Sequence, residues 1–401
     1  MKKIYILFIP FILFYTSCTK DITDLNEETK RAAVISPGPL FTNAVKNLSD
    51  GLASASVNVN IFRHIVKHWG QAVIQQEAQY DYITRAVHEN WWGRMYRDVL
   101  NDLQESARII NEDVSLSPGQ KANQLAMVDI MQVYAYDILV KTFGDIPYTE
   151  ALDDNNLFPV YDDAQTVYND LLRRLDEDIA NLNTSSPGFS SSEDIIYQGN
   201  VSNWIAFANS LKLRMTMTLA DVDSGNAKTA FQNANSSAIT SADQDAFIQY
   251  YDSPPNNNPL YDQLVLAGRT DYIAAQDLLE ELVELNDPRL PGYFGLNDEG
   301  EYSGGVVGRA TSFSQSSKPS ARVAAPDAPN VLIDLVEVEF LRAEAVERGY
   351  DLPLAENAIS GFPNRLRYPG NEQQLNNENY IQASSNIGGD ETETKLFWDI
   401  F

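Results

Sequence analysis

The chain has 401 residues with 29 basic and 56 acidic side chains, so its formal net charge is −27. A surface this acidic repels phosphate groups, which argues against nucleic acid as a partner. The single cysteine excludes an internal disulfide, so the fold must be stabilised by burial of its 44% hydrophobic residues.

Residues 1–18 have the pattern of an export signal that ends in the lone cysteine. Lys2 and Lys3 give a positive start, the run 4–15 is apolar, and small residues precede Cys18. The apolar run is too short to remain in a bilayer as a spanning helix.

The position of Cys18 predicts a bacterial lipoprotein in which this thiol is acylated. The alternative is an ordinary exported protein that is cleaved near Ser17 and keeps a free thiol by chance. An unpaired thiol is a liability in an oxidising compartment, which favours the lipoprotein. We therefore expect a lipid anchor at Cys18.

Residues 19–38 are polar and charged, and we interpret them as a flexible tether to one folded domain, 39–401. Apolar residues at three- and four-residue spacing predict helices over 90–111, 124–143, 164–182 and 204–219. Shorter helices are predicted over 62–76, 227–234, 274–285 and 332–348. Gly144 should end the second long helix, and Ser202 is the expected N-cap of the fourth. Because strand signals are few and short, the predicted fold is mainly α, with helix pairs in a solenoid-like scaffold.

Two long segments interrupt the helical pattern. Residues 240–270 are rich in Asp, Asn, Pro and Tyr, and residues 291–330 are rich in Gly, Ser, Ala and Pro. Long loops in a compact domain are usually functional or disordered.

The sequence has no signature of an enzyme, since it contains no nucleophile elbow, zinc-protease helix motif, phosphate loop or dinucleotide fingerprint. His64 and His68 are four residues apart and could share a helix face, but no acidic or cysteine ligand completes a metal site. We therefore predict no catalytic residue, metal or cofactor. A hydrolase that uses two of the many carboxylates is the enzymatic alternative.

The aromatic residues indicate a binding function. Sugars place their apolar ring faces against exposed tyrosine or tryptophan, while amides and carboxylates bind the hydroxyl groups. Several aromatic residues lie next to such polar groups, and we take as candidate ligand contacts Trp69, Tyr80, Tyr82, Tyr250 and Tyr251. The competing explanation is that a helical scaffold buries its aromatic residues, as expected for Tyr134, Tyr168 and Trp204.

Several phrases together resemble the SusD/RagB family of surface nutrient-binding lipoproteins of Bacteroidetes, in particular its SusD-like branch. The phrases are Asp24-Leu25-Asn26, Thr142-Phe143-Gly144-Asp145-Ile146-Pro147-Tyr148 through Leu152, Asn203-Trp204 through Met215, Leu285-Asn286-Asp287-Pro288-Arg289-Leu290, Glu339-Phe340-Leu341-Arg342-Ala343-Glu344-Ala345, and Arg365-Leu366-Arg367-Tyr368-Pro369. Each phrase is weak alone, but their order behind a lipoprotein signal is specific.

The resemblance implies a fold of tetratricopeptide-like helix pairs packed against a loop-rich part. It also implies a location in the outer membrane, facing the cell exterior. The implied partner is a SusC-like TonB-dependent barrel on which the lipoprotein acts as a lid, with a glycan or a peptide held between them. Family residues that contact ligand vary, so the resemblance assigns none here. A structural lid without ligand affinity is the remaining alternative.

One departure from the family pattern lies near the C-terminus. Members normally have a long stretch between the helix that ends near Gly349 and the Arg-x-x-Tyr-Pro phrase, whereas here only residues 350–364 intervene. We interpret this as a deletion, which would expose apolar helix surface near 332–348.

Overall fold

The computed structural model describes residues 36–56, 59–153, 155–350 and 352, and its elements follow one another in this order. The first are α1 (Pro37–Ala53), α2 (Phe62–Ile65), β1 (Trp69–Gln71), α3 (Val87–Gly93), α4 (Asn101–Glu112), α5 (Pro118–Phe143), α6 (Ala164–Asn181), α7 (Val201–Thr218) and α8 (Ser224–Asn235). They are followed by β2 (Ala246–Ile248), α9 (Pro259–Tyr261), β3 (Tyr272–Ala274), α10 (Gln276–Glu284), α11 (Leu290–Tyr293), β4 (Asn330–Ile333) and α12 (Leu335–Glu347). A π-helical segment, Arg94–Leu100, joins α3 to α4, and a second one, Asp262–Leu266, follows α9. The predicted mainly α fold is confirmed.

Consecutive long helices pack on one another. Helix α5 contacts both α4 and α6, α7 contacts both α6 and α8, and α12 packs on α7. Helix α7 is buried on most sides and carries Trp204, the largest fully buried side chain of the described residues. Together they enclose one large apolar core, as expected for stacked helix pairs.

Local signals set most helix ends where the sequence predicts them. Helix α5 ends at Phe143, and Gly144 follows with a φ of +81°, a conformation that glycine adopts without strain. Asp163 caps α6, because its Oδ1 accepts the Thr166 backbone N–H at 2.8 Å. The expected cap of α7 was wrong: Asn200, not Ser202, accepts the backbone N–H of Asn203 at 3.3 Å, and the helix begins at Val201.

The predicted helix over 62–76 is also wrong. Helix α2 ends at Ile65, and Lys67 has a φ of +54°, outside the helical region. Residues Trp69–Gln71 instead form β1, which pairs antiparallel with Tyr272–Ala274. Because Tyr272–Ala274 is a strand, α10 begins at Gln276 and not at residue 274 as predicted. Because β4 pairs with β2, α12 begins at Leu335 and not at residue 332.

The loop-rich part has a small apolar core of its own. Its buried members include Trp69 on β1, Tyr272 on β3 and Leu260 on α9, and Leu290 and Phe294 flank them. These residues come from segments that are far apart in the sequence, so this core fixes how the irregular segments lie against one another.

A buried carboxylate anchors the start of α7. Asp194 is fully buried, and its Oδ1 accepts the backbone N–H groups of Ile196 and Tyr197, both at 3.1 Å. Its Oδ2 accepts the Gly199 backbone N–H at 2.9 Å and the Trp204 indole N–H at 2.8 Å. One side chain therefore satisfies four donors and fixes the turn that leads into α7.

Two carboxyl groups lie together between α5 and α6. Asp129 pairs with Arg174, whose Nε lies 3.0 Å from its Oδ2, and the buried Asp178 lies beside Asp129. Burial, together with the neighbouring charge of Asp129, raises the pKa of Asp178 to about 9. Oδ2 of Asp178 has no hydrogen-bond partner in the described part of the chain.

Helix α1 begins at Pro37, inside the predicted tether 19–38. Among the described helices, none combines the length and the apolar character needed to cross a bilayer. Cys18 and the export signal lie outside the described residues. The same holds for most of residues 350–364, where the sequence indicates a deletion, and for the Arg365–Pro369 phrase.

Candidate functional site

The two long interruptions of the helical pattern, 240–270 and 291–330, meet at one open cleft with a volume of about 1190 Å³. The first contributes Gln249, Asn258 and Leu260 to its lining. The second contributes Pro291, Gly292, Tyr293, Arg322, Val323, Ala325 and residues 327–330. The lining is completed by Ala53, Arg63, Pro288 and Arg289. A concave, largely apolar surface with a few polar groups is the usual form of a ligand site.

Side-chain amides hold one wall of the cleft in place. Gln249 Nε2 donates to the carbonyl oxygen of Asp327 at 2.6 Å, and Asn258 Nδ2 donates to that of Ala328 at 2.7 Å. The backbone N–H of Asn258 donates to the carbonyl oxygen of Pro326 at 2.6 Å. Because three successive carbonyl groups are held, the segment 326–328 forms a fixed wall without regular secondary structure.

Tyr250 supports this wall from inside the protein. Its hydroxyl group donates to Asp50 Oδ1 at 2.8 Å and lies 2.9 Å from Ser49 Oγ, and Asn330 Nδ2 donates to the same Ser49 Oγ at 3.0 Å. Burial raises the pKa of Tyr250, so it stays a neutral donor. The expectation that Tyr250 offers its ring to a ligand is therefore corrected, because the side chain is only 3% exposed.

Trp69 is the second predicted contact that the structure buries, at 6% exposure. It packs in the small core beside Tyr272, and the Arg63 guanidinium carbon lies 5.2 Å from its ring centroid. Arg63 is held there by the carbonyl oxygens of Ser54 and Ala53, at 2.7 and 3.1 Å. Trp69 thus supports a cleft-lining arginine and has no ring face open to a ligand.

The other three predicted aromatic residues are accessible but do not line the cleft. Tyr80 and Tyr251 are 69% and 64% exposed, and Tyr82 is half-buried. The rings of Tyr80 and Tyr82 meet edge to face with centroids 6.0 Å apart, on a loop that Gln79 ties to the carbonyl oxygen of Gly308 at 2.7 Å. Tyr80 and Tyr82 therefore form a pair, and Tyr251 is separate from the cleft lining.

The exposed aromatic and charged side chains of the cleft belong to residues that the sequence did not predict as ligand contacts. Tyr293, at the end of α11, is 41% exposed, and Arg289 begins the same turn. Arg289 Nε donates to Asp287 Oδ1 at 2.9 Å, and this hydrogen bond lowers the pKa of Asp287 to about 2. Arg322 lies later in the same segment and approaches α11, since a Cβ placed on Gly292 would lie 3.8 Å from its Nη1. The only sequence signal for Tyr293 and Arg322 is the length of the loop at 291–330, whereas Asp287 and Arg289 belong to the 285–290 phrase.

The two histidines considered as metal ligands are not on one helix face, because α2 ends at Ile65. His64 is buried, with Nδ1 3.0 Å from the carbonyl oxygen of Trp69, and burial lowers its pKa. His68 is exposed. Within the ranges that the structure describes, no three His, Cys, Asp or Glu side chains are grouped so as to hold a metal ion.

The family profile described as "Starch-binding associating with outer membrane" matches residues 29–383 of the sequence. The chain belongs to the SusD-like family. No curated protein sequence matches it.

Solved structures of SusD-like proteins share the fold. One, described as a chitin-binding protein, has a TM-score of 0.66 at 20% identity, over 91% of this chain and 100% of that one. A SusD/RagB protein from Bacteroides thetaiotaomicron has a TM-score of 0.63 at 23% identity, over 79% of this chain and 68% of that one. A chitin-binding SusD homologue from Flavobacterium johnsoniae has a TM-score of 0.60 at 22% identity, over 79% of this chain and 64% of that one.

The SusD-like phrases of the sequence occupy scaffold positions in the described residues. Asn203–Met215 lies in the buried helix α7, and its Arg214 pairs with Glu337 of α12, with Nη2 2.7 Å from Oε2. Asp287 and Arg289 of the 285–290 phrase pair with each other at the rim of the cleft. In this SusD-like protein the first of these phrases therefore belongs to the helical scaffold and the second lies at the cleft, while Tyr293 and Arg322 lie outside both.

Proposed function

We propose that this protein binds an oligosaccharide at the cell surface and delivers it to a SusC-like TonB-dependent transporter in the outer membrane. The observation that carries the proposal is the cleft, in which the exposed ring of Tyr293 lies among amide and guanidinium groups. A sugar can stack on such a ring while the side-chain oxygen of Gln249 or Asn330 accepts hydrogen bonds from its hydroxyl groups. The family description, starch binding in association with the outer membrane, agrees with this cargo and this location.

We infer that the protein binds glycan without cleaving it. Glycoside hydrolysis normally requires two carboxyl groups that flank the bond to be cleaved. Among the described residues that line the cleft, Asp327 alone is acidic. The same lining contains three arginines, Arg63, Arg289 and Arg322, which gives no support to a basic peptide as the cargo.

Replacing Tyr293 with alanine should weaken oligosaccharide binding about 10-fold or more, because the stacking surface of the cleft is lost. Since the ring is half-exposed, the free energy of unfolding should change by less than about 1 kcal/mol. Isothermal calorimetry of the purified mature protein against starch, chitin and pectin oligosaccharides measures the binding.

Tyr251→Ala and Tyr80→Ala are the matched controls, because both remove exposed tyrosine rings outside the cleft lining. Unchanged affinity in both controls supports the cleft as the oligosaccharide-binding site. A large loss in Tyr80→Ala alone would move the site to the Tyr80–Tyr82 pair. If no oligosaccharide binds to the unaltered protein, the proposed function is wrong and the structural-lid alternative takes its place.

Attachment to the membrane is proposed to depend on acylated Cys18. A Cys18→Ala protein should leave the outer-membrane fraction and still bind oligosaccharide with unchanged affinity, because one acylated residue supplies the whole anchor. Cell fractionation with immunoblotting, followed by calorimetry on the released protein, measures both properties. Retention of the variant in salt-washed outer membranes would contradict the lipid anchor.

A further inference from the structure

The cleft has an excess of positive charge although the protein as a whole is strongly acidic. Its lining contains Arg63, Arg289 and Arg322 but only one acidic side chain, Asp327, whereas the whole chain has a net charge of −27. Acidic side chains outnumber basic ones almost two to one, so most cations have a carboxylate partner nearby. A group of three arginines with only one acidic side chain beside them is therefore unusual for this protein.

The three arginines differ in what their guanidinium groups contact. Arg289 is paired with Asp287, so its charge is already compensated. Arg63 donates to backbone carbonyl oxygens and has no carboxylate partner among the described residues. Arg322 is exposed and makes no hydrogen bond, ion pair or ring contact with any described residue.

This lack of partners is rare in the described part of the chain. Among its lysine and arginine side chains, only Arg309 and Arg322 make no such contact. Arg309 does not line the cleft, whereas Arg322 does. The Arg322 guanidinium lies beside Gly292, the residue that precedes the exposed Tyr293. A free cation thus lies next to the ring on which a sugar would stack.

We propose that the cleft selects oligosaccharides that carry anionic groups, and that Arg322 binds the carboxylate or sulfate of the sugar on or next to Tyr293. The inference rests on the proposed function and names the chemical class of its ligand. A guanidinium group binds two oxygens of a carboxylate or sulfate in a planar, bidentate arrangement, and such charged hydrogen bonds are the strong ones. The long-range field of an acidic protein repels an anionic sugar, so a local cation is what binding would require.

The test is calorimetry on the purified mature protein with three oligosaccharides of equal length. Oligogalacturonate carries carboxylates, a chondroitin sulfate oligosaccharide carries sulfates as well, and a chitin oligosaccharide is neutral. The acidic sugars should bind at least about 10-fold more tightly than the neutral one. Tighter binding of the chondroitin sulfate oligosaccharide than of oligogalacturonate would show that sulfate contributes to binding in addition to carboxylate.

Arg322→Gln should weaken binding of the preferred acidic sugar about 10-fold or more and leave the affinity for the neutral sugar unchanged. Arg309→Gln is the matched control, because it removes the other partnerless arginine at a site outside the cleft, and it should bind like the unaltered protein. Both residues are exposed, so neither change should affect folding.

The outcomes separate this inference from the function on which it rests. If the neutral sugar binds as tightly as the acidic ones and Arg322→Gln has no effect, the protein is a glycan binder and the anionic selectivity is wrong. Equal losses in Arg322→Gln and Arg309→Gln would also overturn it, because they would reflect only the overall charge. If none of the three sugars binds, and the starch and pectin series also fail, the proposed function itself falls.

Discussion

Replacing Asp194 with alanine is expected to lower the free energy of unfolding by about 3–5 kcal/mol. The carboxylate is fully buried and accepts four hydrogen bonds, three from backbone N–H groups and one from the indole of Trp204. Removal of the side chain leaves these donors without partners in the interior, where each unsatisfied group is costly. Urea denaturation followed by circular dichroism measures the change.

Asp113→Ala is the matched control for this prediction. Asp113 also accepts a backbone N–H, from Ser115 at 2.8 Å, but it does so at an exposed turn. Its removal should cost less than about 1 kcal/mol, since water can replace the carboxylate. Similar losses in the two variants would show that the Asp194 network does not stabilise the start of α7 as described.

A second large effect is expected from Asp178→Asn, which should raise the free energy of unfolding at pH 8 by about 1–3 kcal/mol. The pKa of Asp178 is raised from its ordinary 3.8 to about 9, so the folded protein holds a proton that the unfolded chain releases between these values. Fewer protons are then bound in the unfolded state, and stability falls as the pH rises from about 4 to about 9. An asparagine amide keeps a donor toward Asp129 without this cost.

Denaturation of both proteins between pH 5 and pH 9 tests this prediction. The difference between the variant and the unaltered protein should grow with pH, by at most about 1.4 kcal/mol per unit. Glu177→Gln is the control on the same helix, because that side chain is 60% exposed and pairs with Arg173 at the surface. A difference that is constant with pH would mean that Asp178 is ionised in the folded protein.

The long helices could be predicted from the sequence because their determinants are local. The spacing of apolar residues predicted α5, α6 and α7, and Gly144 predicted the end of α5. The helix predicted over 62–76 was wrong because the apolar pattern of this segment is compatible with a helix as well as with a strand. Its strand pairs with Tyr272–Ala274, roughly two hundred residues away, and no local window contains that partner.

The site was predictable only in part, and for the same reason. Both long interruptions could be expected to be functional or disordered, but the sequence did not predict that they meet in one cleft. The aromatic residues chosen by their polar neighbours included Trp69 and Tyr250, which are buried because they contact Tyr272 and Ser49, each about two hundred residues away in the sequence. Arg322 has no partner because no carboxylate or carbonyl group of the described residues lies within hydrogen-bonding distance of its guanidinium group. The sequence alone does not show such distances.

The contacts that support the cleft wall also order the events of folding. Tyr250 meets Ser49 across 201 residues, and Asn330 meets the same side chain across 281. Closing loops of this length is slow compared with forming helix pairs from adjacent segments. The cleft should therefore be the last part of the protein to form, because its wall is incomplete until residue 330 has been synthesised.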